Sequence, residues 1–210
     1  MRDVLLLFGM QGSGKGTQGE RIKERYGRFT DVIVGQLLRE GAKTNPEMQA
    51  LMKTGKLFPN PMIEAVIEER IKTIPEDERI IFDGFPRSEI QLEIYENLAK
   101  KHGFKSLAVD IIITEEEALK RLSKRYVCPQ CDYVAIGSGK CPKCGADLEK
   151  RVDDQDETAV KQRISIFKKD TRPIMDYFKQ EGELIEVDGV GTFDEVTERI
   201  FKKLDDYYKK

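Results

Sequence analysis

At 210 residues the chain is long enough to bury a full core as one domain with small excursions. Its 36 basic and 38 acidic side chains give a net charge of −2, which lacks the global basic footprint of a nucleic-acid binder. No stretch approaches the roughly 18 apolar residues of a membrane span, and Val4–Phe8 lacks the basic flank and cleavage tail of a signal peptide, so a cytoplasmic chain with no membrane partner is expected.

Val4–Phe8 is a short, unbroken aliphatic run ending at Gly9, suited to a strand buried on both faces of a parallel sheet. Similar runs recur at Asp31–Val34, Arg79–Phe82, Leu107–Ile113 and Leu184–Val187. Between them lie helical stripes: Ile63, Val66, Ile67, Ile71 and Ile74, then Val196, Ile200 and Leu204 with Tyr208 continuing the line. Thr114 followed by Glu117 predicts a capping box ahead of Leu119 and Leu122. Strands alternating with helices predict a doubly wound α/β sheet. The rhythm breaks twice, over about 35–62 with Pro46, Pro59 and Pro61, and over Cys128–Cys144; both stretches predict insertions on the main sheet.

The loop Gly9-Met-Gln-Gly-Ser-Gly-Lys-Gly-Thr17 follows the first strand and precedes a helix predicted over Thr17–Tyr26. Gly9, Gly12 and Gly14 let backbone N–H groups converge on phosphate oxygens. A helix N-terminus adds partial positive charge, and Lys15 adds a full charge for the β- and γ-phosphates of a nucleoside triphosphate. Gly16 stands where Ser or Thr usually follows the lysine, so Thr17 is the nearest hydroxyl for Mg²⁺ or the α-phosphate.

Phosphoryl transfer asks mainly for positioning and charge neutralisation. A phosphorylated acceptor would need several arginines from different segments, and Arg39, Arg87, Arg121, Arg125, Arg151 and Arg163 are candidates. Arg87 directly follows a strand in Asp83-Gly-Phe-Pro-Arg87, while Arg121, Arg125 and Arg151 bracket the cysteine-bearing insert. There, Cys128-Pro-Gln-Cys131 and Cys141-Pro-Lys-Cys144 are two knuckles that aim four thiolates at one point, a structural Zn²⁺ set. Another soft metal, disulfides or free thiols are the alternatives. His102, the sole histidine, is expected as a solvated helix-end residue.

On Gly12-Ser-Gly-Lys-Gly-Thr-Gln18, Gly55-Lys-Leu57, Asp83-Gly-Phe-Pro-Arg87, Gln91 and Arg151-Val-Asp-Asp154 with Arg163, the chain resembles the adenylate kinases of the long, zinc-bearing bacterial type over essentially its whole length. The resemblance implies a P-loop kinase fold with a five-stranded parallel sheet flanked by helices. It implies a core of 1–32, 63–123 and 155–210, a helical monophosphate-binding insert at 33–62 and a zinc-ribbon lid at 124–154. The implied activity is reversible transfer from ATP-Mg to AMP giving two ADP, in a monomer that maintains adenine nucleotide balance.

Carried over by position, Gly12, Ser13, Gly14, Lys15, Gly16 and Thr17 hold ATP. Arg121 stacks on its base, Arg125 meets its phosphates, and the turn ending at Gly191 gives a backbone contact to its adenine. Arg39, Arg87, Arg151 and Arg163 grip the acceptor phosphate and the transferring group. Val34, Lys56, Leu57, Phe58, Gly84, Phe85, Pro86 and Gln91 line the AMP pocket. Asp83 orients Mg²⁺ through water. Lys15, Arg87, Arg125, Arg151 and Arg163 form the implied catalytic set.

The chain departs from the family at Ile33-Val34-Gly35-Gln36, where Ser-Thr-Gly-Asp is usual, and Val34 cannot supply the threonine hydroxyl near the acceptor base. Gln11 replaces a common proline, the Asp154-to-Arg163 spacing is one residue longer, and the loop between the cysteine pairs is trimmed. A kinase for GMP, CMP or UMP is one alternative; a zinc-ribbon binding module that keeps its P-loop as a switch is another.

Overall fold

Each of the five apolar runs becomes a strand; the three central ones bury their aliphatic side chains on both faces, and the two outer ones only in part. In the computed structural model, which describes residues 2–54, 58–131, 133–150, 154 and 157–209, these are β1 (Arg2–Phe8), β2 (Phe29–Ile33), β3 (Arg79–Asp83), β4 (Phe104–Ile112) and, last in the chain, β8 (Leu184–Asp188). They form one sheet in the order β2-β3-β1-β4-β8. The pairs of β1 with β3, β1 with β4 and β2 with β3 are parallel, with Leu5 opposite both Ile81 and Leu107. Leu5, Leu6, Leu7, Ile80, Ile81 and Leu107 are all buried.

The chain divides into two compact units. The first comprises Met1–Phe8, Gly19–Asp110 and Asp170–Glu186; the second comprises Gly9–Gln18, Ile111–Lys169 and Val187–Lys210. In the first, α2 (Val34–Thr44), α3 (Pro46–Thr54) and α4 (Asn60–Lys72) follow β2, and α5 (Glu89–His102) follows β3. The close approach of α2 and α3 needs Gly41: a Cβ there would lie 2.8 Å from Met48 Cε. Ile63, Ile67 and Ile71 of α4 are buried, while Val66 is only half so. Phe82, Phe85, Tyr95 and Phe178 form an aromatic cluster, with Tyr95 set edge-on to Phe82 at 5.8 Å. Burial pushes the Tyr95 phenol well above its ordinary pKa, and its hydroxyl is paired with Ser106 Oγ at 2.7 Å.

His102 is not the solvated residue expected. It is half-buried, stacked on Phe104 at 5.6 Å, with Nε2 3.2 Å from Glu68 Oε1. A ring at a helix end finds apolar cover where the next strand starts two residues later, and the sequence gives no sign of Glu68 across from it.

The second unit holds the start of α1 (Lys15–Tyr26), α6 (Glu115–Ser123), α7 (Glu157–Ile166) and α9 (Phe193–Tyr208), while α8 (Arg172–Gln180) belongs to the first. Met10, Ile113, Ala118, Leu122, Val160 and Ile164 make its core. Only half of the predicted capping box at Thr114 forms. Thr114 accepts from the Glu117 N–H at 3.1 Å, but the Glu117 carboxylate turns instead to Arg121. The complete box stands at the start of α9, between Thr192 and Glu195. The insert is more regular than its composition suggests, with β5 (Arg125–Val127), β6 (Val134–Ile136) and β7 (Glu149–Lys150) in an antiparallel sheet ordered β6-β5-β7. No described helix is long and apolar enough to cross a membrane.

Candidate active site

The glycine-rich loop leaves the central strand at Phe8 and closes on itself through Ser13 N–H to the Met10 carbonyl at 3.0 Å. Gly9, Gly12 and Gly14 take φ of 138°, 84° and 98°, the left-handed region that side chains rarely enter. Gly9 is also sterically committed, since a Cβ there would lie 2.5 Å from Ser13 Oγ and 2.6 Å from the Ile111 carbonyl. Gly9→Ala is therefore expected to lower stability by about 2 kcal/mol and to weaken triphosphate binding with it, as read from the urea midpoint and from ATP titration. Ser13 Oγ is buried without a hydrogen-bond partner among the described residues. Lys15 opens α1 and turns its ammonium back to the Gly9 carbonyl at 2.7 Å and the Met10 carbonyl at 3.2 Å. Thr17 is half-buried in the first turn of the helix, and Gly16 is exposed with open space around its Cα.

Three of the sequence-predicted arginines are described in this second unit, and two of them meet. Arg121 donates to Glu117 Oε1 at 2.7 Å, to the Gly12 carbonyl at 3.3 Å and to the Gly189 carbonyl at 2.9 Å. It therefore fastens the phosphate loop to the turn that ends at Gly191, itself exposed at φ 126°. Arg125 and Arg163 converge on one carboxylate. Arg125 makes a bidentate pair with Asp154, Nε to Oδ2 at 2.6 Å and Nη2 to Oδ1 at 2.8 Å, and Arg163 Nη2 adds a contact to Oδ1 at 2.8 Å. Burial works to raise the Asp154 pKa, but the Arg125 and Arg163 guanidiniums outweigh it and hold the carboxyl below the usual carboxylate range.

The residues predicted for the acceptor side, Arg151 and Arg163 apart, lie in the first unit. Arg87 is exposed; its Nε donates to the Gly84 carbonyl at 2.5 Å, and its backbone N–H donates to Gln91 Oε1 at 2.9 Å. The segment is anchored by the buried Phe85 ring; Pro86 is buried beside it and Gly84 is half-buried. The Phe85–Pro86 peptide is cis. Thr171 Oγ1 donates to the Arg87 carbonyl at 3.0 Å. Asp83 ends β3 half-buried, Phe58 is half-buried, and Arg39 is exposed on α2. Val34 is buried as the first residue of α2, behind Ile33, which makes no side-chain cap, and Gln36 donates to Glu40 at 2.9 Å. Arg151, Lys56 and Leu57 lie outside the described residues.

The four cysteine sulfurs lie within 4.8 Å of one another, with Cys128 to Cys144 at 3.3 Å and Cys131 to Cys141 at 3.5 Å, and none is in a disulfide. A tetrahedron with metal–sulfur bonds of about 2.3 Å has edges of about 3.8 Å, so the donor set fits one soft ion. Backbone N–H groups of Tyr133, Cys144, Lys143 and Ala146 point at three of the sulfurs; at Cys131 and Cys144 the N–H groups work to lower the pKa, but burial and the neighbouring thiols outweigh them and push it up. Burial opposes ionisation of Cys141, yet the Cys144 and Lys143 N–H groups and the neighbouring thiols bring its pKa down to about 7.

Sequence reasoning missed Asp154 as the hub of two arginines, although it stands in the quoted Arg151–Asp154 run. It also missed Gln18 and Thr197, whose side chains meet in the interior at 2.8 Å. Their signal would have been polar residues on helix faces otherwise apolar.

A family model for adenylate kinase matches residues 7–183. The chain is 37% identical over 213 residues to the adenylate kinase of Pyrococcus furiosus, covering 96% of this chain and 95% of that protein. It is 36% identical to that of Pyrococcus abyssi, covering 98% and 97%, and 35% identical to that of Rhizobium etli, covering 95% and 99%. The chain belongs to the adenylate kinase family.

Proposed function

We propose that the chain catalyses reversible phosphoryl transfer from ATP to AMP, giving two ADP, as a cytoplasmic monomer that engages neither membrane nor nucleic acid. The observation that carries the reading is the glycine loop at the end of the central strand, with Lys15 at its helix start, in a chain whose relatives are named adenylate kinases over nearly their full length. The loop residues Gly12, Ser13, Gly14, Gly16 and Thr17 bind the triphosphate, and Lys15 leaves its loop carbonyls for the transferring phosphoryl group. Arg121 meets the base together with the turn at Gly191. Arg125 and Arg163 neutralise charge as it moves, with Arg87, Arg39 and Arg151 on the AMP phosphate. Val34, Lys56, Leu57, Phe58, Gln91 and the Gly84–Pro86 backbone form the AMP pocket.

Mg²⁺ arriving with ATP would neutralise phosphate charge. Thr17 offers a hard oxygen donor of the kind such an ion prefers, and the Asp83 carboxylate would orient the ion through water. Segment 124–154 acts as the lid, excluding water so that AMP and not water receives the group, and 33–62 clamps the monophosphate. The ion of the cysteine cluster is Zn²⁺, held by Cys128, Cys131, Cys141 and Cys144 as a staple for a small element with little core. A chelator, or Cys131→Ser, is expected to lower thermal stability while the phosphate loop still binds ATP. Elemental analysis of purified protein should return a single equivalent of zinc, and a metal-free, equally stable protein would sink the assignment.

The test of the activity is a coupled assay with ATP against AMP, GMP, CMP and UMP, in which AMP gives the highest kcat/KM. Preference for another monophosphate, or no turnover, would overturn the reading. Selectivity should be weak, because Val34 offers a methyl where a threonine hydroxyl would bond, a difference of about 1 kcal/mol. Val34→Thr is expected to raise the AMP-over-GMP ratio of kcat/KM about fivefold; an unchanged ratio removes Val34 from base choice.

A further inference from the structure

Gln18, in the first turn of α1, is only 1% exposed, a burial an amide side chain tolerates only when hydrogen bonded. Both its partners are on α9. Nε2 donates to the Phe193 carbonyl at 3.1 Å, and Oε1 accepts from Thr197 Oγ1 at 2.8 Å. The carbonyl can only accept, which decides which end of the amide faces it. Thr197 Oγ1 also lies 2.7 Å from the Phe193 carbonyl, so its single proton serves two acceptors and the three groups close a triangle. Thr197 is itself buried. A second tie joins the same two segments, since Arg121 bonds the carbonyls of Gly12 and Gly189. The loop that precedes α1 and the turn that precedes α9 are thus fastened twice, once in the interior and once nearer the surface.

We propose that Gln18 and Thr197 are positioning residues for ATP: their buried clasp sets the spacing between the loop that holds the triphosphate and the turn that receives its base. The proposal rests on the reading above that assigns the base to the turn at Gly191. A ligand anchored at one end gains from a second contact only if that contact is already at the right distance. Relaxing the clasp leaves the triphosphate cradle intact, because its glycine dihedrals and the Ser13–Met10 bond do not involve Gln18. Inorganic tripolyphosphate touches the cradle alone and is blind to the spacing.

Isothermal titration of ATP and of tripolyphosphate into the full chain separates the two effects. Gln18→Met keeps the length of the side chain without its polar atoms, and Thr197→Val keeps the shape without the hydroxyl. Each is expected to weaken ATP about fivefold and to leave tripolyphosphate within about twofold of wild type. The double variant should lose little more than either single one, and Thr197→Ser should bind ATP as wild type does. Equal weakening of both ligands, or no weakening of ATP, overturns the proposal. Wild-type protein that binds tripolyphosphate as tightly as ATP overturns the base-turn assignment beneath it, and the proposal with it.

Discussion

Lys15→Met is expected to lower kcat by about a hundredfold to a thousandfold with little change in melting temperature. The ammonium bonds the Gly9 and Met10 carbonyls in the structure, at 2.7 and 3.2 Å. Those two bonds keep the lysine at the loop, but they do not build it. The loop is built by the three glycine conformations and by the turn from Ser13 to Met10. Methionine has similar reach and no charge, so the fold should persist while the transferring phosphoryl group loses its mobile cation. ATP should still bind, more weakly, through the backbone N–H groups and the helix start. Lys15→Arg should recover only part of the rate, because a planar fork replaces a point charge. Turnover within tenfold of wild type, or a melting temperature that falls in step with kcat, would remove the proposed role.

The three central strands of the main sheet were legible because burial on both faces demands continuous apolar runs, and the two half-buried outer ones still carry short aliphatic runs. The boundary differences have local causes. Val34, expected to end a strand, starts α2, since a valine is apolar enough for either and Gly35 and Gln36 carry no strand signal. β4 begins at Phe104, earlier than Leu107, because Lys105 alternates outward and interrupts the apolar count. The glycine loop was legible because phosphate cradling restricts residue type at particular spacings. The small sheet around the cysteines was not, for strands of two and three residues with half-buried or exposed side chains leave no period to detect. The partners of the arginines were equally hidden. A sequence shows that Arg125 and Arg163 carry charge, but their meeting at Asp154, 29 and 9 residues away, depends on how α7 packs back against α6.

Asp154→Asn is the substitution expected to cost the most stability, about 3 kcal/mol. The Asp154 side chain is fully buried, while the side chains of Arg125 and Arg163 are 17% and 25% exposed. Removing the carboxylate leaves two like charges facing a neutral amide whose NH₂ end repels one of them. Partial exposure of the arginines lets water take up some of the loss, which is why the figure sits at the low end for a buried pair. For a chain of this size the melting temperature should drop by about 6–12 °C. Turnover should fall as well, through misplacement of both arginines, and Arg125→Ala combined with Asp154→Asn should cost less than the sum of the two.

The pH dependence gives a separate check. The folded-state pKa of Asp154 lies below its unfolded value, so the clamp contributes fully above the unfolded pKa, near about 4, and is lost as pH falls through the folded pKa. The stability gap between wild type and Asp154→Asn should be flat from neutral pH down to about pH 5 and should narrow only below about pH 4. Asparagine mimics the protonated acid, so the two proteins should converge once Asp154 itself takes up a proton. A gap that closes already between pH 7 and pH 5 would mean that a different group, with a higher pKa, holds the two arginines together.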